Sequence, residues 1–269
     1  MSDMRSKVQE IYTMEQLAGG STCIHRLHPG AKMLTALVFI VTVVSFGRYE
    51  LGRLIPYIFY PVIVMALSET PWGKLLKRLV VALPFVAFAA VSNIIFERNT
   101  ALTVGELAIS HGALSALTIV FRALLCVMSV LILISVTPFG ELTNQMRRVR
   151  IPGIFVTLFE LTYRYAGVLL EEASSMYTAY MLRSTERKGL EMRHMGSFVG
   201  QLVLRSFDRA ERIYAAMKCR GYAMQADSGK RRRLSSGDCI YMAAVCIPAV
   251  LFRIFNVSEL FSRVMSRLF

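Results

Sequence analysis

The stretch Arg205-Ser206-Phe207-Asp208-Arg209-Ala210-Glu211-Arg212-Ile213-Tyr214-Ala215-Ala216-Met217-Lys218-Cys219-Arg220-Gly221-Tyr222 decides how this chain is built. Arg205, Arg209 and Arg212 recur at i, i+4 and i+7, which sets them on one helical face with Asp208 and Glu211 beside them. The run is amphipathic rather than wholly apolar, so it reads as a helix at a water boundary. Gly221 closes it as a C-cap, because glycine takes the left-handed conformation freely. A solvated charged face is the ordinary meaning of such a run. Here the arginine that ends the helix stands in Cys219-Arg220-Gly221, beside a small residue that lets another surface come close.

Upstream the same arrangement occurs once more. Pro152-Gly153 marks a helix start, and Phe155, Leu158, Phe159, Thr162, Tyr165, Leu169, Met176, Tyr180 and Met181 follow at helical steps. This helix is expected over 154–188 and carries Leu182-Arg183-Ser184 at its end. A break near Gly189 leads to a second helix over 196–219. Gly196 and Gly200, four apart, present a small-residue face suited to close helix packing. Between residues 138 and 234 there are 17 Lys and Arg against 9 Asp and Glu, which is +8 of the chain's net +13.

On either side the composition turns apolar. The 269 residues are 55% hydrophobic, with a mean hydropathy of +0.49, too apolar for a soluble domain of this size. A membrane crossing needs roughly 20 apolar residues in a helix. Five spans are expected, over about 32–46, 54–67, 79–96, 112–136 and 238–255. The first is short for a crossing. Pro56 and Pro61 lie in the second and Pro84 in the third. The stretches 68–78, with Trp72, Lys74, Lys77 and Arg78, and 97–110 read as connecting loops.

The excess of positive charge in 138–234, including Lys230-Arg231-Arg232-Arg233, places that insert and the N-terminus on the cytoplasmic side. No cleavable leader is read in the first thirty residues, which contain Asp3, Arg5, Lys7, Glu10 and Glu15. Arg253, Arg263 and Arg267 then fall on the side this bias disfavours, so a sixth crossing or a tail along the interface stays open. The basic insert is attracted to anionic lipid rather than to nucleic acid, because its charges are tethered to a bilayer. The chain divides into 1–137 (tail and four spans), 138–234 (amphipathic insert) and 235–269 (last span and tail).

Catalytic signatures do not compete with this reading. Gly30-Ala31-Lys32 lacks the spacing of a phosphate loop, and neither HExxH nor GxSxG occurs. The five cysteines, Cys23, Cys126, Cys219, Cys239 and Cys246, form no CxxC pair and read as reduced. Cys23, His25 and His28 have a spacing that a soft metal accepts, but a polar turn before a span accounts for them better, and no metal site is assigned. Arg122 interrupts the fourth span; it is expected to snorkel, or to pair with a carboxylate or backbone carbonyl inside the bundle. Asn93 and Glu97 read as interfacial.

The order of spans, the insert and its two X-Arg-X motifs resemble the T component of energy-coupling factor transporters, with the CbiQ branch of cobalt systems nearest. Supporting stretches are His28-Pro29-Gly30-Ala31-Lys32, Ile151-Pro152-Gly153-Ile154-Phe155, Leu161-Thr162-Tyr163-Arg164-Tyr165, Glu171-Glu172 and the run from Arg209 to Tyr222. The family motif is usually Ala-Arg-Gly; Leu182-Arg183-Ser184 and Cys219-Arg220-Gly221 keep the arginines and vary the flanks. The resemblance implies an all-α membrane protein with a cytoplasmic coupling insert, non-catalytic and without cofactor, in a bacterial or archaeal cell membrane. It implies two ABC-type ATPase subunits that receive Arg183 and Arg220, and a separate CbiM-like membrane subunit that binds cobalt. Coupling for nickel or a vitamin is the alternative within the family. A membrane anchor or assembly factor without transport role is the alternative outside it.

Overall fold

The computed structural model describes residues 18–47, 49–96, 100–104, 107–149, 151–184, 189–222 and 235–254. The acidic and basic residues of the first seventeen positions, Arg48, Glu97, the 230–233 tetrad, Arg263 and Arg267 lie outside these. The described chain is built from helices α1 (Pro29–Val44), α2 (Leu51–Ser68), α3 (Trp72–Phe96), α4 (His111–Val136), α5 (Phe139–Arg148), α6 (Gly153–Arg183), α7 (Met192–Cys219) and α8 (Ser236–Ile254). It is an all-α membrane protein in architecture. Its contacts divide it into two compact units, one of α1–α4 with α8, the other of α5–α7.

Five helices are long and apolar enough to cross a bilayer: α2, α3, α4, α6 and α8. The set differs from the sequence expectation at two places. Helix α1 has 16 residues, about 24 Å at 1.5 Å per residue, short of a bilayer core of about 30 Å. Helix α6 qualifies by length and composition, although Glu160, Arg164, Glu171, Glu172 and Arg183 punctuate it.

In the first unit α1 is the central strut. Phe39 and Val43 of α1 are buried with Phe46, Leu54, Tyr57, Leu125 and Ala249. Phe39 lies between the rings of Tyr57 and Tyr60, at 5.9 and 4.3 Å. The Tyr57 hydroxyl donates to the Ala249 carbonyl, 2.7 Å away, and so ties α2 to α8 without leaving a polar group in hydrocarbon. A second cluster joins Ile24 to Val64, Met65, Leu75, Ile132 and Val136. Helix α2 contains a 3-10 turn, Ile55–Ile58, where Pro56 removes an amide donor.

Helix α3 begins at Trp72, not at residue 79. Only Glu69 (left-handed, φ 52°), Thr70 and Pro71 separate it from α2. Nothing in 72–78 breaks a helix, and Lys74, Lys77 and Arg78 are carried on its first two turns. The helix runs on through Pro84, as membrane helices can when neighbours accommodate the freed carbonyl. Val81, Phe85 and Phe88 stand fully open on its outer flank, the face a bilayer covers.

The stretch expected as a plain loop after α3 contains a hairpin. Strand β1 (Thr100–Val104) pairs antiparallel with β2 (Leu107–Ser110), Thr100 opposite Ser110 and Val104 opposite Leu107. Thr100, Thr103, Val104 and Ile109 are β-branched, which suits a pleated ribbon.

Candidate functional site

Arg183 and Arg220 are both in the second unit. Helix α5 braces its start. The Thr143 hydroxyl donates to Glu160 at 3.0 Å, Arg147 donates to the other Glu160 oxygen at 2.9 Å, and Phe139 stacks on Tyr163 at 4.0 Å. Helices α6 and α7 then run antiparallel, touching at three levels. Thr157 meets the Tyr222 hydroxyl (3.1 Å). Glu172 accepts from both Arg205 and Arg209, the latter at 3.1 Å. The Tyr180 hydroxyl lies 3.0 Å from His194 Nδ1.

Arg183 is therefore at one end of the pair and Arg220 at the other. From Thr157, level with Tyr222, to Arg183 the helix covers about 39 Å at 1.5 Å per residue. Both arginines are exposed, and among the described residues neither guanidinium has a hydrogen-bond or ion-pair partner. Each offers a planar fork of donors suited to a carboxylate or a row of carbonyls.

The two ends are finished differently. After α7, Gly221 has φ +66°; its amide donates to the Lys218 carbonyl (3.0 Å), and the Tyr222 amide donates to Met217 (3.0 Å). That pair of bonds is the Schellman arrangement, which satisfies the last carbonyls and turns the chain sharply. Gly221 is thus the C-cap expected from the sequence. After α6, Ser184 is extended, its amide bonded to Tyr180 at 3.0 Å. Leu182, 83% exposed, stands beside Arg183 as an uncovered apolar knob. Cys219 is exposed on the last turn of α7.

Two hollows lie between α6 and α7. One of about 810 Å³ adjoins the first arginine and is lined by Tyr180, Arg183, Glu191, His194 and Phe198 among others. The other, of about 530 Å³, is apolar; Leu158, Tyr165, Ile213, Met217 and Tyr222 line it. Gly196 and Gly200 are exposed, and a Cβ on either would meet nothing within 4 Å. Within the described chain no helix approaches them.

The residues singled out in the membrane unit have structural partners. Arg122 donates to the carbonyls of Phe46 (2.5 Å) and Gly47 (3.0 Å), just beyond the end of α1. Arg253 donates to the Ser45 carbonyl (2.9 Å), lies 4.6 Å from the Phe46 ring and pairs with Glu50. Two guanidinium groups thus cap the helix that is too short to reach water by itself. Arg253, half-buried, is thus occupied where α8 ends beside the end of α1. His28 caps the other end of α1: its Nδ1 accepts from the Gly30 amide at 3.0 Å. His25 Nδ1 is 2.6 Å from the Thr22 hydroxyl. Cys23 is exposed and lies with His25 in the turn before α1.

Sequence reading missed Glu172 as the group that joins α6 to α7, and it missed Asp238 and Lys32. The only local signal was that Arg205 and Arg209 share a helical face and so share a target.

With the geometry in view, the comparisons decide the family. The model of the CbiQ family, described as cobalt transport protein, matches residues 20–230. The chain belongs to the CbiQ family. It is similar to the energy-coupling factor transporter transmembrane protein EcfT of Bacillus subtilis, 24% identical over 87% of this chain and 94% of that protein. It is also similar to the cobalt transport protein CbiQ of Rhodobacter capsulatus, 32% identical over 47% of this chain and 50% of that one. An uncharacterized protein of Methanocaldococcus jannaschii is 23% identical over 88% of this chain and 84% of its own length. This CbiQ-family chain is a multi-pass membrane protein and a non-catalytic transmembrane component of an energy-coupling factor transporter.

Proposed function

We propose that this chain is the coupling subunit of an ATP-driven importer and that its cargo is cobalt(II). Arg183 and Arg220, with Leu182, Ser184, Cys219 and Gly221 around them, seat in two ABC-type ATPase subunits on the cytoplasmic side. A separate CbiM-like membrane subunit binds the ion. Residues 1–137 and 235–269 form the membrane part; 138–234 form the cytoplasmic coupling part. Gly196 and Gly200 give a partner helix room to approach.

One observation carries this reading. Two exposed guanidinium groups, without a hydrogen-bond or ion-pair partner among the described residues, are carried at opposite ends of one helical pair, their backbones about 33 Å apart along the helices, a span suited to gripping two bodies at once.

Co-purification tests it. The Arg183→Glu and Arg220→Glu double variant should still insert in the membrane but lose its ATPase partners; an unchanged complex ends the proposal. Cargo is tested separately, by uptake of labelled cobalt into proteoliposomes holding the full set of subunits, with nickel and vitamin controls. Vitamin uptake alone would overturn the cobalt assignment and make the chain a coupler of the vitamin type.

A further inference from the structure

Among the described residues of the membrane unit, two ends lead directly to the other unit: Val136–Pro138, which continues into α5, and Ser235, which starts α8 after residues 223–234. Both ends are held to the start of α1 by buried polar groups. Lys32, 3% exposed, donates from Nζ to the Val136 carbonyl (3.1 Å) and to the His25 carbonyl (3.0 Å). Val136 is the last residue of α4, so the lysine caps its terminus. Asp238, also 3% exposed, accepts from the Ser235 amide through Oδ2 and from the His28 amide through Oδ1, each at 2.7 Å. The first bond is half of a capping box on α8; the second reaches across to the start of α1.

Groups of this kind are costly to bury, and hydrophobic packing alone serves stability as well or better. What a shared charged cluster adds is geometric: the end of α4, the start of α8 and the start of α1 are locked to each other through charge-assisted hydrogen bonds. We propose that the Lys32–His28–Asp238 cluster is the anchor through which movement of residues 139–222 is passed, as one displacement, into α1, α4 and α8. This rests on the coupling function proposed above. Lys32 and Asp238 are positioning residues: neither touches cargo or nucleotide.

The test uses the complete complex in proteoliposomes, with labelled cobalt(II) as the probe and ATP hydrolysis measured in the same vesicles. Lys32→Met and Asp238→Asn should hydrolyse ATP while cobalt moved per ATP falls by about fivefold or more, the lower end of ordinary coupling energies. Lys32→Arg, which keeps the charge and the donors, should retain most of the ratio. A ratio unchanged in Lys32→Met overturns the anchor and leaves the coupling function standing. Cobalt uptake by the wild-type complex that does not depend on ATP overturns both. Should the variants not accumulate, hydrogen exchange on the wild-type complex decides: with a non-hydrolysable nucleotide, amides near residues 28–32, 133–137 and 235–240 should change protection together. Independent changes at the three places overturn the proposal.

Discussion

Arg122 reaches from the middle of α4 to the carbonyl of Phe46, 2.5 Å away, where α1 has run out. The bond explains two oddities together, an arginine in an apolar helix and a membrane helix about 24 Å long. Carbonyls past the end of α1 have no amide partner, and hydrocarbon offers none. Arg122→Met should therefore lower stability by about 0.5–1.5 kcal/mol, the net worth of hydrogen bonds to carbonyls that are only partly shielded. Thermal unfolding of the detergent-solubilised protein measures this, with Arg122→Lys expected in between. An unshifted midpoint for the methionine variant would refute the capping role.

Glu172 holds Arg205 and Arg209 together, but all three are partly open to water. Their contribution is accordingly small. A double-mutant cycle of Glu172→Gln with Arg209→Gln should give a coupling under about 1 kcal/mol, shrinking at high salt. A coupling that salt does not touch would mean that the pair is far better shielded than its exposure indicates.

Gly221 has open space around its Cα but a positive φ of 66°. Replacement is thus penalised by backbone conformation alone. Gly221→Ala should cost about 1–2 kcal/mol and Gly221→Asn less, since asparagine tolerates the left-handed region. Helicity and unfolding temperature would report it; equal effects for the two substitutions would argue against the strain.

Gly196 and Gly200 lie in helix α7 with nothing near. Alanine at either should stabilise the isolated subunit, by up to about 1 kcal/mol each from helix propensity. In the assembled transporter the same substitutions should weaken subunit association, if this face receives a neighbour's backbone. Stabilisation in both states would show that the face is simply solvated.

Much of this molecule could be read from the chain. Helix α4 shows as a long apolar run broken only by Arg122, Pro152-Gly153 marks the start of α6, and Gly221 marks the end of α7. Those are local signals, set by side chains a few residues apart. The start of α3 was misjudged because charge was taken as a loop marker, whereas Lys74, Lys77 and Arg78 have no propensity against helix. The hairpin after α3 was missed because its strands are only five and four residues long. Pairings between distant positions were not legible at all. Asp238 binds the amide of His28 from 210 residues away, and Glu172 lies 33 and 37 residues from its arginines. The sequence left Arg122 either to snorkel or to pair with a carboxylate or backbone carbonyl; that it meets the carbonyls of Phe46 and Gly47 depends on where α1 stops.

The place of Glu172 in the helical pair has a mechanical corollary. It lies 11 residues before Arg183, and its partner Arg209 lies 11 before Arg220, so each arginine is about 16 Å from the crossing. With Thr157–Tyr222 on one side of that contact and Tyr180–His194 on the other, the two helices are tied along their length and form a splint rather than a hinge, so a push on one tip carries the other with it.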